Sequence, residues 1–491
     1  MRQSRREFVT SAAVATAAAA MPAIAAESPR LRLGVISDIH LRGMSNADTY
    51  EKTLRWFDSC KVDAVLLCGD IADYGLESQL KAAADVWFKV FPGDRRSDGA
   101  PVARLFHYGD HDTGIARRVQ DKYRADHPEF ANDRDIASGD RKAIWEKVFR
   151  EPWNPIEIKD VKGYKFVLYH FINSPDSSAY AKPWGGHAEG LDRFLAAHAA
   201  ELKGDKPFFY SQHRIMKDTA GGPLASGQDD GFSTKVLSEF PNCFAFCGHG
   251  HHMVTDETMI WQGSFTAVEV PALSYPCQRP GRENGFSTRD LAWYFPEKTT
   301  PVKQMPIMYV GSEGKGYARA ALLVDVFADR IVLGRRDAMN DKWLGPDWVV
   351  PLPLLEKKPY DHAYRAAHDL APAFPAGAKA TVAERRGTDR AKNPVDQYVV
   401  SFPPAKSSGG RPRAYDYEVQ ATVFKGDVDC IVGTKRVYSP GIVKAEADEP
   451  EAVECVFAKD AITNNRDKLE FAVRPVNAFG RKGEAIKCSV A

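Results

Sequence analysis

A chain of 491 residues, 44% hydrophobic and 27% charged, carries enough apolar material for a substantial core and more than one domain. Its formal net charge of +1 excludes a global electrostatic pull toward nucleic acid or an anionic membrane surface.

The first residues are basic (Arg2, Arg5, Arg6), and an alanine-dominated apolar stretch from Ser11 to Ala20 leads to Pro22 and Ala23-Ile24-Ala25. A basic start, a short apolar centre and small residues for a peptidase describe an export signal. The adjacent arginines resemble a twin-arginine signal, the route for proteins that have already folded. The expected location is therefore periplasmic or secreted, and residues 1–25 are set aside from the fold. The apolar run is shorter than the ~20 residues that span a bilayer, and no later segment is apolar enough, so no membrane span is expected. Export permits the eight cysteines to pair. Cys243 and Cys247, four apart in a strand, would sit about 13 Å apart and cannot bridge each other. Cys430, Cys455 and Cys488 either supply one disulfide or simply pack.

From Leu31 onward, short apolar runs alternate with amphipathic stretches. Leu31 to Ser37, Val62 to Cys68 and Val102 to Tyr108 read as buried strands bounded by Gly, Asp or Pro. Between the first two, Ala47 to Cys60 is helix-like, with Asn46 or Asp48 as cap and Tyr50, Leu54 and Phe57 on one face. Leu76 to Val90 repeats the pattern. This alternation predicts an α/β domain with parallel pairing, continued by Tyr164 to Phe171, Pro207 to Ser211 and Cys243 to Cys247.

Ile115 to Pro155 is dense in Arg, Asp and Lys and reads as an insertion of polar helices, a solvated excursion with a substrate lid as the alternative. Arg319 to Phe327 and Arg330 to Arg335 flank Ala328-Asp329 as a hairpin. Residues 356–390, rich in Pro, Lys and Ala, read as a linker. Beyond it, Tyr415, Tyr417, Val419, Ala421 and Val423 alternate with polar residues, as do Leu469, Phe471 and Val473, which predicts a small all-β sandwich over 391–491.

The chemistry lies in where Asp and His fall. Asp38-Ile39-His40 follows the first strand, Gly69-Asp70-Ile71-Ala72-Asp73 the second, and Gly109-Asp110-His111-Asp112 the third. His213 follows the strand at Pro207 to Ser211, and Gly248-His249-Gly250-His251 follows the strand ending at Cys247. Sites in α/β sheets form beyond the carboxyl ends of strands, so five strand ends are set to converge their side chains. Asp38 with His40, and His249 with His251, share a direction because side chains alternate with period two. The glycines before Asp70, Asp110 and His249 permit tight turns and close backbone approach. Mixed carboxylate and imidazole ligands suit Fe, Zn, Mn or Ni better than Ca or Mg. His107, His187, His198 and His252 have no such context and are read as ordinary packing or surface histidines. Neither a Gly-X-Ser-X-Gly elbow nor a phosphate-cradling Gly-X4-Gly-Lys loop is present in the sequence.

These blocks, in this order, resemble the calcineurin-like metallophosphoesterases over residues 31 to about 350. The resemblance implies a four-layer α/β/β/α sandwich with a two-metal centre at the sheet ends, and two divalent or mixed-valence transition metal ions (Fe, Mn or Zn). It assigns Asp38, His40 and His251 to one metal, Asp110, His213 and His249 to the other, and Asp70 to the bridge. It makes His111 the acid beside the phosphate, oriented by Asp112. The implied reaction is hydrolysis of a phosphomonoester or phosphodiester by hydroxide generated between ions ~3.5–4 Å apart.

One position departs from the family, which has Asn where this chain has Asp110. Three carboxylates against two divalent ions leave one unit of positive charge, where an Asn would leave two; the expectation is weaker attraction for an oxyanion or a more highly charged metal pair, or else a tolerated isosteric swap. Asp73 stands where purple acid phosphatases place a Tyr, so no Fe–tyrosinate is expected. Tyr74 stands where calcineurin-type phosphatases usually carry Arg, which argues against a phosphoprotein substrate. The C-terminal sandwich resembles a fibronectin type III module, for packing or for contact with an extracellular partner. The competing reading is a catalytically weak metal-binding protein that acts through that module, with Asp110 as its one supporting feature.

Overall fold

The computed structural model describes residues 27–42, 46–115, 117–137, 140–171, 190–222, 225, 227–278, 282–283, 287–288, 308–309, 318–388, 393–462 and 466–490. The export-signal reading and His187 lie outside the described residues. Among the described residues, no helix is long and apolar enough to cross a membrane.

The apolar runs become strands. β1 (Leu31–Ile36), β2 (Ala64–Cys68) and β3 (Ala103–His107) pair in parallel, connected by helices Ala47–Ser59 and Glu77–Val90. β4 (Ile156–Val161), β5 (Tyr164–Tyr169), β6 (Phe208–Ser211), β7 (Cys243–Cys247), β8 (Ile260–Gln262) and β9 (Thr266–Glu269) build a second sheet in the order β4-β5-β6-β7-β9-β8. Four two-residue strands follow: β10 (Cys277–Gln278), β11 (Arg282–Glu283), β12 (Ser287–Thr288) and β13 (Met308–Tyr309). β14 (Ala320–Val326) and β15 (Arg330–Asp337) form the expected hairpin, and β14 returns to the first sheet beside β1. β16 (Lys342–Trp343) and β17 (Trp348–Pro351) complete that sheet at seven strands. Both sheets are thus mixed. Parallel pairing joins β1, β2 and β3, and β5, β6, β7 and β9; the short loops of β4–β5, β8–β9 and β14–β15 allow only antiparallel return, and β14 also runs antiparallel where it comes back beside β1.

Alternation within the apolar runs serves two cores at once. Leu33, Val35 and Leu66 share a cluster with Phe209, Phe244 and Phe246 of the second sheet. Their neighbours Ile36, Val65 and Leu67 instead join Tyr50, Leu54, Phe57 and Trp87 of the two crossover helices. The far side of the second sheet packs Val167, Tyr210 and Ala245 with Leu191, Leu195 and Leu237. A strand buried on both faces must be apolar throughout, which is why these runs read as continuous.

Two expectations are corrected. Within the polar insertion, helix Arg141–Phe149 buries Ile144, Trp145 and Phe149 completely in the core beneath helix Glu77–Val90, so that half is no solvated excursion. Residues 356–390, read as a linker, contain helix His362–His368 and β18 (Thr381–Thr388), which pairs with β19 (Pro394–Phe402). β18 is a sheet edge with mostly exposed side chains, so no apolar alternation marked it.

The C-terminal region is rich in strands. β20 (Asp416–Lys425), β21 (Val428–Tyr438), β22 (Val453–Ala458), β23 (Lys468–Val476) and β24 (Ile486–Val490) complete two small sheets, β18-β19-β22 and β21-β20-β23-β24. Tyr417, Val419, Ala421, Leu469, Phe471 and Val473 share one apolar cluster with Val400, Phe402 and Phe457 of the other sheet. All eight cysteines are free thiols, so the disulfide considered for Cys430, Cys455 and Cys488 is not formed. Cys455 is part of that apolar cluster instead.

Glu257 fastens helix His362–His368 to the body. Its carboxylate accepts from Arg335 Nη1 at 2.6 Å, Trp348 Nε1 at 2.9 Å and Arg365 Nη2 at 3.2 Å. Burial opposes its charge, but Arg335 and Arg365 prevail and hold its pKa at about 2, against an ordinary 4.5. A depressed carboxylate stabilises the fold fully above its unfolded pKa and loses that contribution as pH falls through the folded one. At ~1.4 kcal/mol per unit, Glu257→Gln is expected to cost about 3 kcal/mol at pH 7. The difference in denaturation midpoint between wild type and variant should shrink between pH 4.5 and pH 2; a difference independent of pH would show that the charge is not what matters.

Candidate metal centre

The strands that carry the expected ligands, β1, β2 and β3 in one sheet and β6 and β7 in the other, bring their carboxyl ends together. Backbone bonds stitch these ends: Asp38 N donates to Gly69 O at 3.1 Å, His40 N to Asp70 O at 3.0 Å, and Gly248 N to His213 O at 2.8 Å. Leu273 N and Ser274 N, beyond β9, donate to Ser37 O and Asp38 O at 3.0 and 3.1 Å, tying the second sheet to the first. Asn46 does not cap its helix with its side chain; its Nδ2 donates to Ile39 O and His40 O and braces the first loop.

The loops turn sharply. Asp38, His40, Asp70, His249 and His251 all have positive φ, between 43° and 74°. A residue with a Cβ held there costs on the order of 1–3 kcal/mol, a strain that concentrates at functional sites and persists only where the surroundings enforce it. Gly109 and Gly248 supply close approach. A Cβ on Gly109 would lie 2.2 Å from Asp70 N, and one on Gly248 would lie 1.9 Å from Ser37 Oγ.

The side chains form two groups. Asp38, His40, Asp70 and His251 place one ligand atom each within 4.8 Å of one another, and Asp70, Asp110, His213 and His249 do the same. All seven expected metal residues are present, and Asp70 belongs to both groups. Asp38, His40, Asp70, His213 and His251 are buried, while Asp110 and His249 are partly exposed.

Outer contacts aim the rings. His40 Nδ1 meets Asp73 Oδ1 at 2.9 Å, His213 Nδ1 meets Cys68 O at 2.7 Å, and His251 Nδ1 meets Tyr275 O at 2.9 Å. Each Nδ1–H is thereby committed to an oxygen, and each Nε2 is left facing the carboxylates, the arrangement that metal-ligating histidines use. Burial works against charge on His40, yet Asp38, Asp73 and Asp70 raise it to about 10. His213 is likewise raised well above its ordinary value by Asp70 and Asp110, again against burial. Asp38, Asp70 and Asp110 lie below the usual carboxylate range despite burial, held there chiefly by neighbouring histidines. A field that favours positive charge so strongly favours a metal cation at the same place. Two buried atoms without a hydrogen-bond partner, Asp110 Oδ1 and His213 Nε2, face each other across 3.3 Å inside it. The donor set and these unsatisfied atoms fit a site for divalent metal ions.

Residues 31–253 match the family model described as calcineurin-like phosphoesterase. This part of the chain is a calcineurin-like phosphoesterase domain. Comparison with curated proteins gave no match. Similar solved structures include a dimetal phosphatase from Danio rerio, 11% identical, covering 66% of this chain and 100% of that one with a TM-score of 0.37. Another is GAP50, the anchor in the inner membrane complex of Plasmodium, 10% identical, covering 69% and 92% with a TM-score of 0.35.

In this phosphoesterase domain His111 stands at the rim, its side chain 33% exposed. Its backbone N donates to Asp70 Oδ1 at 2.8 Å, and its ring meets that of His40 edge-on at 4.5 Å. The expected partnership with Asp112 is corrected. Asp112 lies one position on in the short helix Asp110–Thr113, which turns its carboxylate inward to accept from Gly109 N, Ala72 N and Ile71 N. Burial and the charge of Asp70 push Asp112 up to about 7, against those three bonds. The residue that faces His111 is Asp73, whose carbonyl O lies 2.8 Å and Oδ1 3.7 Å from His111 Nδ1. Asp73 thus braces both His40 and His111 and carries Arg42 on its other oxygen.

Sequence reasoning also missed Arg214, a buried guanidinium bonded to Asp110, whose one clue was its place next to His213. The histidines set aside do pack elsewhere: His107 against Ser211 Oγ, His252 against Glu269, and His198 against Glu201.

Proposed function

We propose that this chain is a dinuclear-metal phosphoesterase that hydrolyses a phosphomonoester or phosphodiester. The observation that carries the reading is the pair of ligand groups sharing Asp70, with His111 at their open edge. Asp38, His40 and His251 would hold one ion, Asp110, His213 and His249 the other, and Asp70 both. Such ions, when bound, lower the pKa of a coordinated water and polarise phosphoryl oxygens. The chain's own residues do the rest. Asp73, Cys68 O and Tyr275 O keep the imidazoles turned toward the centre. His111 Nδ1–H is committed to the Asp73 carbonyl, which leaves Nε2 to hold or deliver a proton at the leaving oxygen. We further read the three apolar clusters as four layers, helix, sheet, sheet and helix, the C-terminal sheets as a fibronectin type III-like sandwich, and the basic N-terminus as a twin-arginine signal for a periplasmic or secreted enzyme.

The test is metal-resolved hydrolysis of p-nitrophenyl phosphate and bis-p-nitrophenyl phosphate by residues 26–491. Activity with Mn, Fe or Zn is expected, and His111→Ala should lower kcat by about 10²–10⁴-fold with metal content unchanged. A metal-loaded chain inactive on both esters would overturn the proposal.

A further inference from the structure

The Asp110 carboxylate divides its oxygens. Oδ1 faces His213 Nε2 at 3.3 Å within the ligand group, and Oδ2 accepts from Arg214 Nη2 at 2.5 Å and lies 3.4 Å from His249 Nδ1. Arg214 is no loose surface cation, for its side chain is 6% exposed and its guanidinium lies 5.7 Å from the centre of the Phe171 ring. Its backbone is held as well: Gln212 Nε2 donates to Arg214 O at 2.7 Å and to Asp229 Oδ2 at 3.0 Å. The guanidinium is therefore delivered to Asp110 from a clamped loop.

An amide at position 110 could not serve this arrangement equally. Asn has one oxygen, which would have to serve either the ligand group or Arg214, and its NH2 would confront a donor of positive charge. Conversely, a neutral residue at 214 would leave a third carboxylate uncompensated beside the phosphate position. The two charges answer each other. Asp110 removes one unit of positive charge relative to an Asn, and Arg214 returns it, so the net charge beside the phosphate matches that of a centre with Asn and no arginine.

Resting on the phosphoesterase reading, we propose that Arg214 is a positioning residue that fixes Asp110 as a ligand and restores the centre's attraction for a phosphate oxyanion. Buried partners in direct contact couple strongly, whereas independent substitutions simply add. The experiment is a double-mutant cycle in the chain spanning residues 26–491, with Arg214→Gln, Asp110→Asn and the double variant. Three quantities are read: Mn(II) bound per chain after dialysis, the inhibition constant of inorganic phosphate, and the thermal midpoint of the metal-free chain.

Arg214→Gln should bind both Mn(II) and phosphate about tenfold more weakly, and Asp110→Asn, with the guanidinium left beside a cation, should lose Mn(II) affinity by about tenfold or more. The double variant should recover most of both losses. Losses that simply add would overturn the proposal, as would an Arg214→Gln chain indistinguishable from wild type. Should either single variant fail to fold, Arg214→Lys keeps the charge without the fork. It should bind phosphate within about tenfold of the wild-type affinity; a Lys variant with no phosphate affinity despite full Mn(II) content would contradict the charge-restoring role. Metal and phosphate binding do not require turnover, so a chain that binds both without hydrolysing any ester refutes the phosphoesterase reading, while the cycle still decides the pairing.

Discussion

Asp70→Asn is expected to lower the chain's affinity for its second metal equivalent, and kcat/KM with it, by more than about 100-fold, since even outer partners of metal ligands are worth 10–100-fold. Asp70 is the one side chain common to both ligand groups. Its Oδ1 lies 3.1 Å from His213 Nε2 and its Oδ2 lies 3.4 Å from His40 Nε2, so each oxygen addresses one group. An amide of the same shape keeps one acceptor and turns the other into a donor, directed at a nitrogen or a cation. It also removes a negative charge from a buried place where little solvent screens the loss. The fold should persist, because Asn matches the volume. Metal analysis together with steady-state kinetics on a folded variant checks this; two retained ions and near-native kcat/KM would remove Asp70 from the bridge.

Gly109→Ala is expected to disable the centre by the opposite route, with every ligand still present. Gly109 has φ of −105°, which alanine tolerates, so the cost is purely one of space. The added Cβ would sit 2.2 Å from both Asp70 N and Asp70 Oδ1 and 2.9 Å from His213 Nδ1. No atom pair survives at such distances, and the loop after β3 must part from the loop after β2. Asp110 follows immediately and would move with it. A displacement on the order of 1 Å costs about 100-fold in rate, and overpacking costs about 1–3 kcal/mol of stability. A thermal melt beside the rate measurement separates the two effects. Full activity in Gly109→Ala would mean that the loops are far more yielding than their contacts indicate.

The ligand set was legible because it is local: a polar residue ending an apolar run is visible without knowing the fold, and five such endings define a place once the strands are parallel. Asp73 and Asp112 show where that logic stops. Asp112 is adjacent to His111 in sequence, but a turn of helix points it at backbone N–H groups of the neighbouring loop, while Asp73, distant in sequence, arrives at His111 from β2. Arg214 was invisible for a related reason, since a basic residue in a loop gives no sign of being buried against a carboxylate over a hundred residues earlier. Helix Arg141–Phe149 was hidden by the polarity of its surroundings, and β18 by its place at a sheet edge, where one face has nothing to bury against. The mixed sheets were legible only in their parallel pairs, because the antiparallel partner of β1 depends on which strand the β14–β15 hairpin returns to.

The claim on which the rest depends is that two metal ions share Asp70. The most direct measurement is electron paramagnetic resonance of the chain reconstituted with Mn(II), with metal content determined on the same sample. Two ions per chain with the exchange-coupled signal of a bridged pair are the expected result, giving way to an uncoupled signal in Asp70→Asn. One ion per chain, or two that show no coupling in the wild type, would contradict it.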